Sequence, residues 1–256
     1  MANYENQPRY GASVATGAEA IDAGLRAHMI RVYNYMAGAL GITGLVAWFA
    51  YQAAGGGSIV IGNGAVSGLT PFGAALFSGP ALFVLFFATL GLVMFISFRI
   101  NRLQVGTALT LFLVYSAVLG VFLSSIFLVY SGTSIARVFF ITAATFGVTS
   151  LWGYTTSRDL TGIGSFLFMG LIGIIIASVV NIFLGSTAIQ FAISVIGVLV
   201  FTGLAAYDTQ KIKTMYSVND DGTVSGRKAV MGALSLYLDF INLFLMLLRL
   251  FGSNRN

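Results

Sequence analysis

Two aspartates stand where carboxylates are rarely placed. Asp208 closes the apolar run of FTGLAAYDTQKIKTMY (201–216), and Asp239 lies inside ALSLYLDFINLFLMLLRLF (233–251) with apolar turns on both sides. A charge at bilayer depth costs roughly 3 kcal/mol on insertion scales, so such a residue faces a bundle interior or a water-filled path. Two carboxylates that meet in low dielectric cannot both ionise cheaply; they share one proton, and the pair becomes a proton-controlled switch. When ionised, the pair attracts a hard cation such as calcium, which takes oxygen ligands. Two carboxylates are too few for a tight calcium site and suit a transient site on a permeation path. Ser235, Asp239 and Asn242 stand at i, i+4 and i+7, a polar stripe down one helix face. For Ser235 and Asn242, hydrogen bonding between helices is an equally good reading.

The elements that must position this pair are membrane helices. The chain of 256 residues is 57% hydrophobic and only 8% charged, against about 25% charge in soluble domains. Residues 32–98 and 160–207 contain no Asp, Glu, Lys or Arg. Runs of about 20 apolar residues span a bilayer as helices, so the expected class is an all-α integral membrane protein. The apolar segments predict seven spans, near 32–54, 81–98, 105–129, 135–156, 163–184, 188–215 and 229–250. They form one membrane domain over 31–252, between a polar, solvated N-terminal tail (1–30) and a short C-terminal tail (253–256). The alternating pattern of an outer-membrane barrel is absent. The loop 55–80 carries eight glycines, two prolines and no charge, which suits either a small hairpin around Asn63-Gly64 or a simply flexible connection.

Absent residue types narrow the chemistry. With no cysteine there is no disulfide, thiolate metal site or cysteine nucleophile. A single histidine, His28, excludes a zinc-type histidine cluster; a lone juxtamembrane histidine is a secondary candidate for pH sensing. No cofactor is expected. The net charge of +5 reflects topology, not nucleic-acid binding. Ten basic residues fall on one side of the predicted spans (Arg9, Arg26, Arg31, Arg99, Arg102, Arg158, Lys211, Lys213, Arg227, Lys228) and three on the other (Arg137, Arg249, Arg255). The positive-inside rule then puts the N-terminus in the cytoplasm and, after seven spans, the C-terminus outside.

Depth decides whether the aspartates can meet. Entering near Ala229, the last span carries Asp239 about 15 Å deep at 1.5 Å per residue. DTQKIKTMY contains no Gly or Pro to end the sixth span at Tyr207. A helix running on to about Tyr216, with Lys211 and Lys213 snorkelling, carries Asp208 about 12 Å deep. The two become level neighbours.

The segments GLAAYDTQKIK (203–213) and GALSLYLDFINLFLMLLRLFG (232–252) resemble those of the Bax inhibitor-1 family of transmembrane proteins, in particular its bacterial members, and the spacing of the spans agrees from about residue 25 onward. The resemblance implies a seven-helix fold with the last helix central in the bundle. It also implies a pH-sensitive calcium leak in the membrane, here the bacterial inner membrane, governed by an aspartate pair that matches Asp208 and Asp239. In the family an arginine at the cytoplasmic end of the second helix can latch the aspartate of the sixth. SFRINRLQ offers both Arg99 and Arg102 for that role; Arg99, at the end of the span, is the first to test.

Two rival classes remain. Intramembrane aspartyl proteases pair Tyr-Asp on one helix with Gly-x-Gly-Asp on the next. AAYD (205–208) matches the first half, but Leu236-Tyr237-Leu238 precedes Asp239, and the only Pro-Ala-Leu is at 80–82, before the second span. A non-enzymatic role is therefore expected. Some bacterial relatives resemble modulators of membrane-bound proteases, which makes an interaction protein the alternative to the leak, with the N-terminal tail as a docking handle.

Overall fold

The structure, a computed structural model, describes residues 10–62 and 65–255, with 10–22 and 61–65 described by backbone course only. Seven helices are long and apolar enough to cross a membrane, and each covers one predicted span. The first is part of a 44-residue helix, α1 (Tyr10–Ala53). Its stretch ASVATGAEAIDAGLRAHM has no proline and is rich in Ala, the strongest helix former, so the backbone passes from the polar segment into the span without a break. Residues 1–9 of the expected tail lie outside the described residues.

The Gly-rich connection folds as the sequence suggests. Strands β1 (Val60–Gly62) and β2 (Ala65–Ser67) pair antiparallel, with Gly62 opposite Ala65; residues 63–64, where the Asn-Gly turn was expected, lie outside the described residues. Gly68 (φ 78°) follows, and a Cβ there would strike the carbonyl oxygen of Ser58, so only glycine closes this loop. Short α2 (Pro71–Leu76) begins on Thr70, whose hydroxyl accepts from the Gly73 amide.

Hydroxyl and carboxylate caps set the starts of four of the remaining helices. Ser78 caps α3 (Gly79–Arg99), Ser131 caps α6 (Gly132–Thr155), Ser186 caps α8 (Thr187–Met215) and Asp221 caps α9 (Gly222–Phe251). Helix α7 (Thr161–Leu184) follows Asp159, whose carboxylate accepts from the Thr161 amide and hydroxyl; those two bonds hold its carboxyl below the usual aspartate range. Gly185, at φ 61°, ends α7. The third span is two helices, α4 (Val105–Leu123) and α5 (Ile126–Val129). Ser124 and Ser125 separate them by turning their hydroxyls onto the carbonyls of Val121 and Phe122, a local bond that competes with helix continuation.

Helix α9 is the centre of the bundle. It packs against α1, α4, α6 and α8. Tyr237, fully buried on α9, shows how the centre is locked. Its hydroxyl lies 2.6 Å from Thr43 Oγ1 of α1, which also donates to the Ser116 carbonyl of α4. Its ring meets Phe112 and Tyr115 edge-on. Helices α3 and α7 stand at the periphery, α3 against α4 and α7 against α8.

The last described residues are held on one face of the bundle. Residues 253–255 stitch one face together. Ser253 N donates to Ser134 Oγ (2.9 Å), Ser131 N to the Ser253 carbonyl (3.1 Å) and Arg255 N to the Val129 carbonyl (2.9 Å). The Arg255 guanidinium bonds the Tyr51 hydroxyl and the Ile59 carbonyl. The other face carries the start of α9 and most of the basic residues. With ten cations against three, we predict that the basic face is cytoplasmic. An alkaline phosphatase fused after Asn256 is expected to be active in an intact bacterium, and a fusion within 218–226 inactive. A cytoplasmic C-terminus would contradict this orientation.

Candidate functional site

Helix α8 continues to Met215, past Asp208, as the depth argument required. Helix α9 starts at Gly222 rather than near Ala229, because the Asp221 cap and the first polar turns extend it beyond the apolar segment. The register of the two helices therefore rests on their contacts. Lys228 Nζ donates to the Met215 carbonyl (2.8 Å), Ile212 packs over Gly232, and Met246 packs over Gly197. These three contacts run α8 and α9 antiparallel with Asp208 opposite Ser235 and Asp239 one helical turn further along. The carboxylates are close neighbours offset by one turn rather than strictly level.

Both aspartates, with Ser235 and Asn242, line a single cavity of about 1330 Å³. Its walls come from α7, α8 and α9, with Phe86 and Leu90 of α3 closing the outer side. It reaches from Lys211, near the basic face, to Arg249, near the opposite one. The wall is chiefly apolar, and its charged residues are the aspartate pair in the middle and one cation towards each end. Asp239 is buried, and its Oδ2 has no hydrogen-bond partner. A buried carboxylate oxygen left unpaired costs the full desolvation of the group, so the site favours a proton or a cation there. Asp208 is half-buried.

The polar residues around the pair differ in role. Asn242 Nδ2 donates to the Leu238 carbonyl of its own helix (2.8 Å), which leaves its side-chain oxygen available. No group of three or more His, Cys, Asp or Glu comes together among the described residues. Two carboxylates, one hydroxyl and one amide carbonyl offer at most six oxygens, the bottom of the range that calcium takes.

Arg99 and Arg102 are not brought to the pair. Both are exposed at the end of α3, and the one ion pair among the described residues is Lys228–Asp220, at 2.5 Å. The cation that faces the cavity beside Asp208 is Lys211, one turn along α8, with its Nζ 5.9 Å from the Tyr207 ring. His28 is buried against Tyr216, away from the cavity, with neither ring nitrogen hydrogen-bonded.

Sequence reasoning passed over five polar residues that line the cavity. Ser165, Ser178 and Asn181 on α7, Gln190 on α8 and Arg249 on α9 all contribute to its wall. The i, i+3 spacing of Ser178 and Asn181 in an otherwise apolar helix was the available signal.

Comparisons with known proteins agree with this architecture. Residues 25–256 match the family described as Inhibitor of apoptosis-promoting Bax1. The chain is 48% identical to Inner membrane protein YbhL of Escherichia coli over 236 residues, which covers 91% of this chain and 94% of that one. It is 46% identical over 235 residues to an uncharacterized protein of Rickettsia prowazekii, covering 92% and 93%. An uncharacterized protein of Caulobacter vibrioides is 44% identical over 238 residues, covering 92% of each chain. With seven membrane-length helices and these matches along nearly its whole length, the chain belongs to the Bax inhibitor-1 family of integral membrane proteins.

Proposed function

We propose that this protein is a pH-sensitive calcium leak of the inner membrane, gated by the Asp208–Asp239 pair. The observation that carries the reading is the placement of both carboxylates on the wall of one cavity that extends between Lys211 and Arg249. The pair shares a proton while the path is closed to cations. Loss of that proton leaves two like charges that separation, an arginine or a passing cation must relieve. Calcium and protons are the partners of this mechanism, and no catalytic step or resident cofactor enters it.

The latch belongs to the same proposal. Arg99 ends α3, the peripheral helix whose Phe86 and Leu90 close the cavity. An inward movement of α3 lets a long guanidinium reach the ionised Asp208. Lys211, already beside Asp208 in the cavity wall, competes for the same charge.

Purified protein in liposomes loaded with a calcium dye tests both points. The expected result is a calcium influx that changes with pH, and an Arg99→Ala variant with a higher basal leak. An effect of Arg102→Ala alone would move the latch to that residue. Absence of flux at every pH, with co-purification of a membrane protease, would replace the leak with an interaction role.

A further inference from the structure

A second cavity, of about 710 Å³, lies between α1 and α6 on the side of the bundle away from the aspartates. Met29, Ile30, Phe146, Gly147 and Leu151 make its apolar wall. Ile30, Leu151 and the adjoining Trp152 are exposed, so the groove faces the acyl-chain region of the bilayer. Its back wall carries hydroxyls. Tyr33 OH lies 2.7 Å from Ser150 Oγ, which lies 2.8 Å from Thr209 Oγ1 on α8.

Charge is confined to the end at the basic face. Arg26 lines the groove there and is exposed. Lys213 stands behind Tyr154, another lining residue, with Nζ 2.8 Å from the Tyr154 carbonyl and 5.1 Å from its ring centroid. Among the described residues, no carboxylate lines the groove. An apolar slot open to lipid, with Arg26 at its interfacial end and Lys213 behind Tyr154 at the same level, matches one kind of molecule: an amphiphile with an anionic head and hydrocarbon tails.

We infer that the α1–α6 groove binds an anionic glycerophospholipid, with the phosphate at Arg26 and one acyl chain along Ile30, Phe146 and Gly147. Arg26 supplies charge-assisted hydrogen bonds to the phosphate oxygens, and Lys213 adds field at the same level. The Tyr33–Ser150–Thr209 hydroxyls join the lipid-facing wall to α8, whose next-door residue is Asp208, so an occupied groove braces the helix that carries the pair. The inference stands apart from calcium conduction and is tested without it.

Native mass spectrometry of the detergent-purified protein, titrated with phosphatidylglycerol or phosphatidylcholine, reads the site directly. Wild-type protein is expected to retain phosphatidylglycerol in preference to phosphatidylcholine. Arg26→Gln should cut that preference about fivefold, the worth of one cation near an anionic headgroup, while Arg31→Gln, an exposed neighbour outside the groove, leaves it larger. Gly147→Leu puts a side chain into the groove at a position where an added Cβ meets nothing within 4 Å; with an unchanged circular dichroism spectrum as the check on its fold, it should lose retention of both lipids. Equal retention of the two lipids by wild-type protein, equal losses in Arg26→Gln and Arg31→Gln, or wild-type retention in Gly147→Leu would each overturn the assignment. So would a dimer that Gly147→Leu dissociates, because a second copy would then fill the groove.

Discussion

Gly153→Val is expected to unfold the protein or lower its melting temperature more than any other single change named here. A Cβ at position 153 of α6 would strike the Ala206 carbonyl oxygen and lie 2.8 Å from its Cα. Those are backbone atoms of α8, which cannot turn aside as a side chain can. Close backbone approach at a small residue is the usual way membrane helices pack, and overpacking such a contact costs roughly 1–3 kcal/mol or more. Here the damage also reaches the site, because Ala206 lies two residues before Asp208. Gly153→Val forces α6 and α8 apart and moves the carboxylate. The internal control is Gly147→Ala on the same helix, where the added methyl meets nothing within 4 Å and helix propensity favours Ala by about 1 kcal/mol. Thermal denaturation in detergent, followed by circular dichroism, should show a large loss for Gly153→Val and none for Gly147→Ala. Equal behaviour of the two would contradict the close α6–α8 contact.

Much of this architecture is legible in the sequence, for physical reasons. A stretch such as 160–207 without one charged residue is long enough for two membrane crossings, and the Gly185-Ser186 break divides it, so hydropathy and breaks together mark the spans. That α8 passes Asp208 follows from DTQKIKTMY, which has nothing in it to stop a helix. The starts of α1 and α9 are less legible because polar first turns carry no hydropathy signal. Only the cap, Asp221 for α9, marks the true beginning. The break at Ser124-Ser125 is hidden as well, since hydroxyls in an apolar run either stay in the helix or turn it, and the sequence does not say which.

At the site, the aspartates are legible because a carboxylate among apolar turns is costly enough to need a reason. Their surroundings are not. That Lys211 and Arg249 lie towards opposite ends of one cavity depends on the register of α8 against α9, and that register comes from tertiary contacts: Ile212 over Gly232, Met246 over Gly197. The tail clamp by Arg255 onto Tyr51 and Ile59 joins residues about two hundred positions apart, and no local pattern announces it.

The second large effect concerns the pair itself. Asp208→Asn and Asp239→Asn each keep the size and much of the hydrogen bonding of the side chain while removing one member of the proposed proton-sharing pair. Asp239 Oδ2 is buried without a hydrogen-bond partner, so on this proposal an amide at position 239 removes the oxygen most in need of a proton or a cation. Either substitution should flatten the pH dependence of calcium flux. Two residues that act as one unit are non-additive, so the double variant should add little to either single one.

Calcium influx into liposomes at a series of pH values, measured for the wild-type protein, both single variants and the double variant, tests this most directly. The account predicts a pH-dependent wild-type flux, a flattened profile in each single variant, and a double-variant profile that overlays them. Independent, additive changes, or a full pH response in both single variants, would show that Asp208 and Asp239 do not share the proton that gates the path.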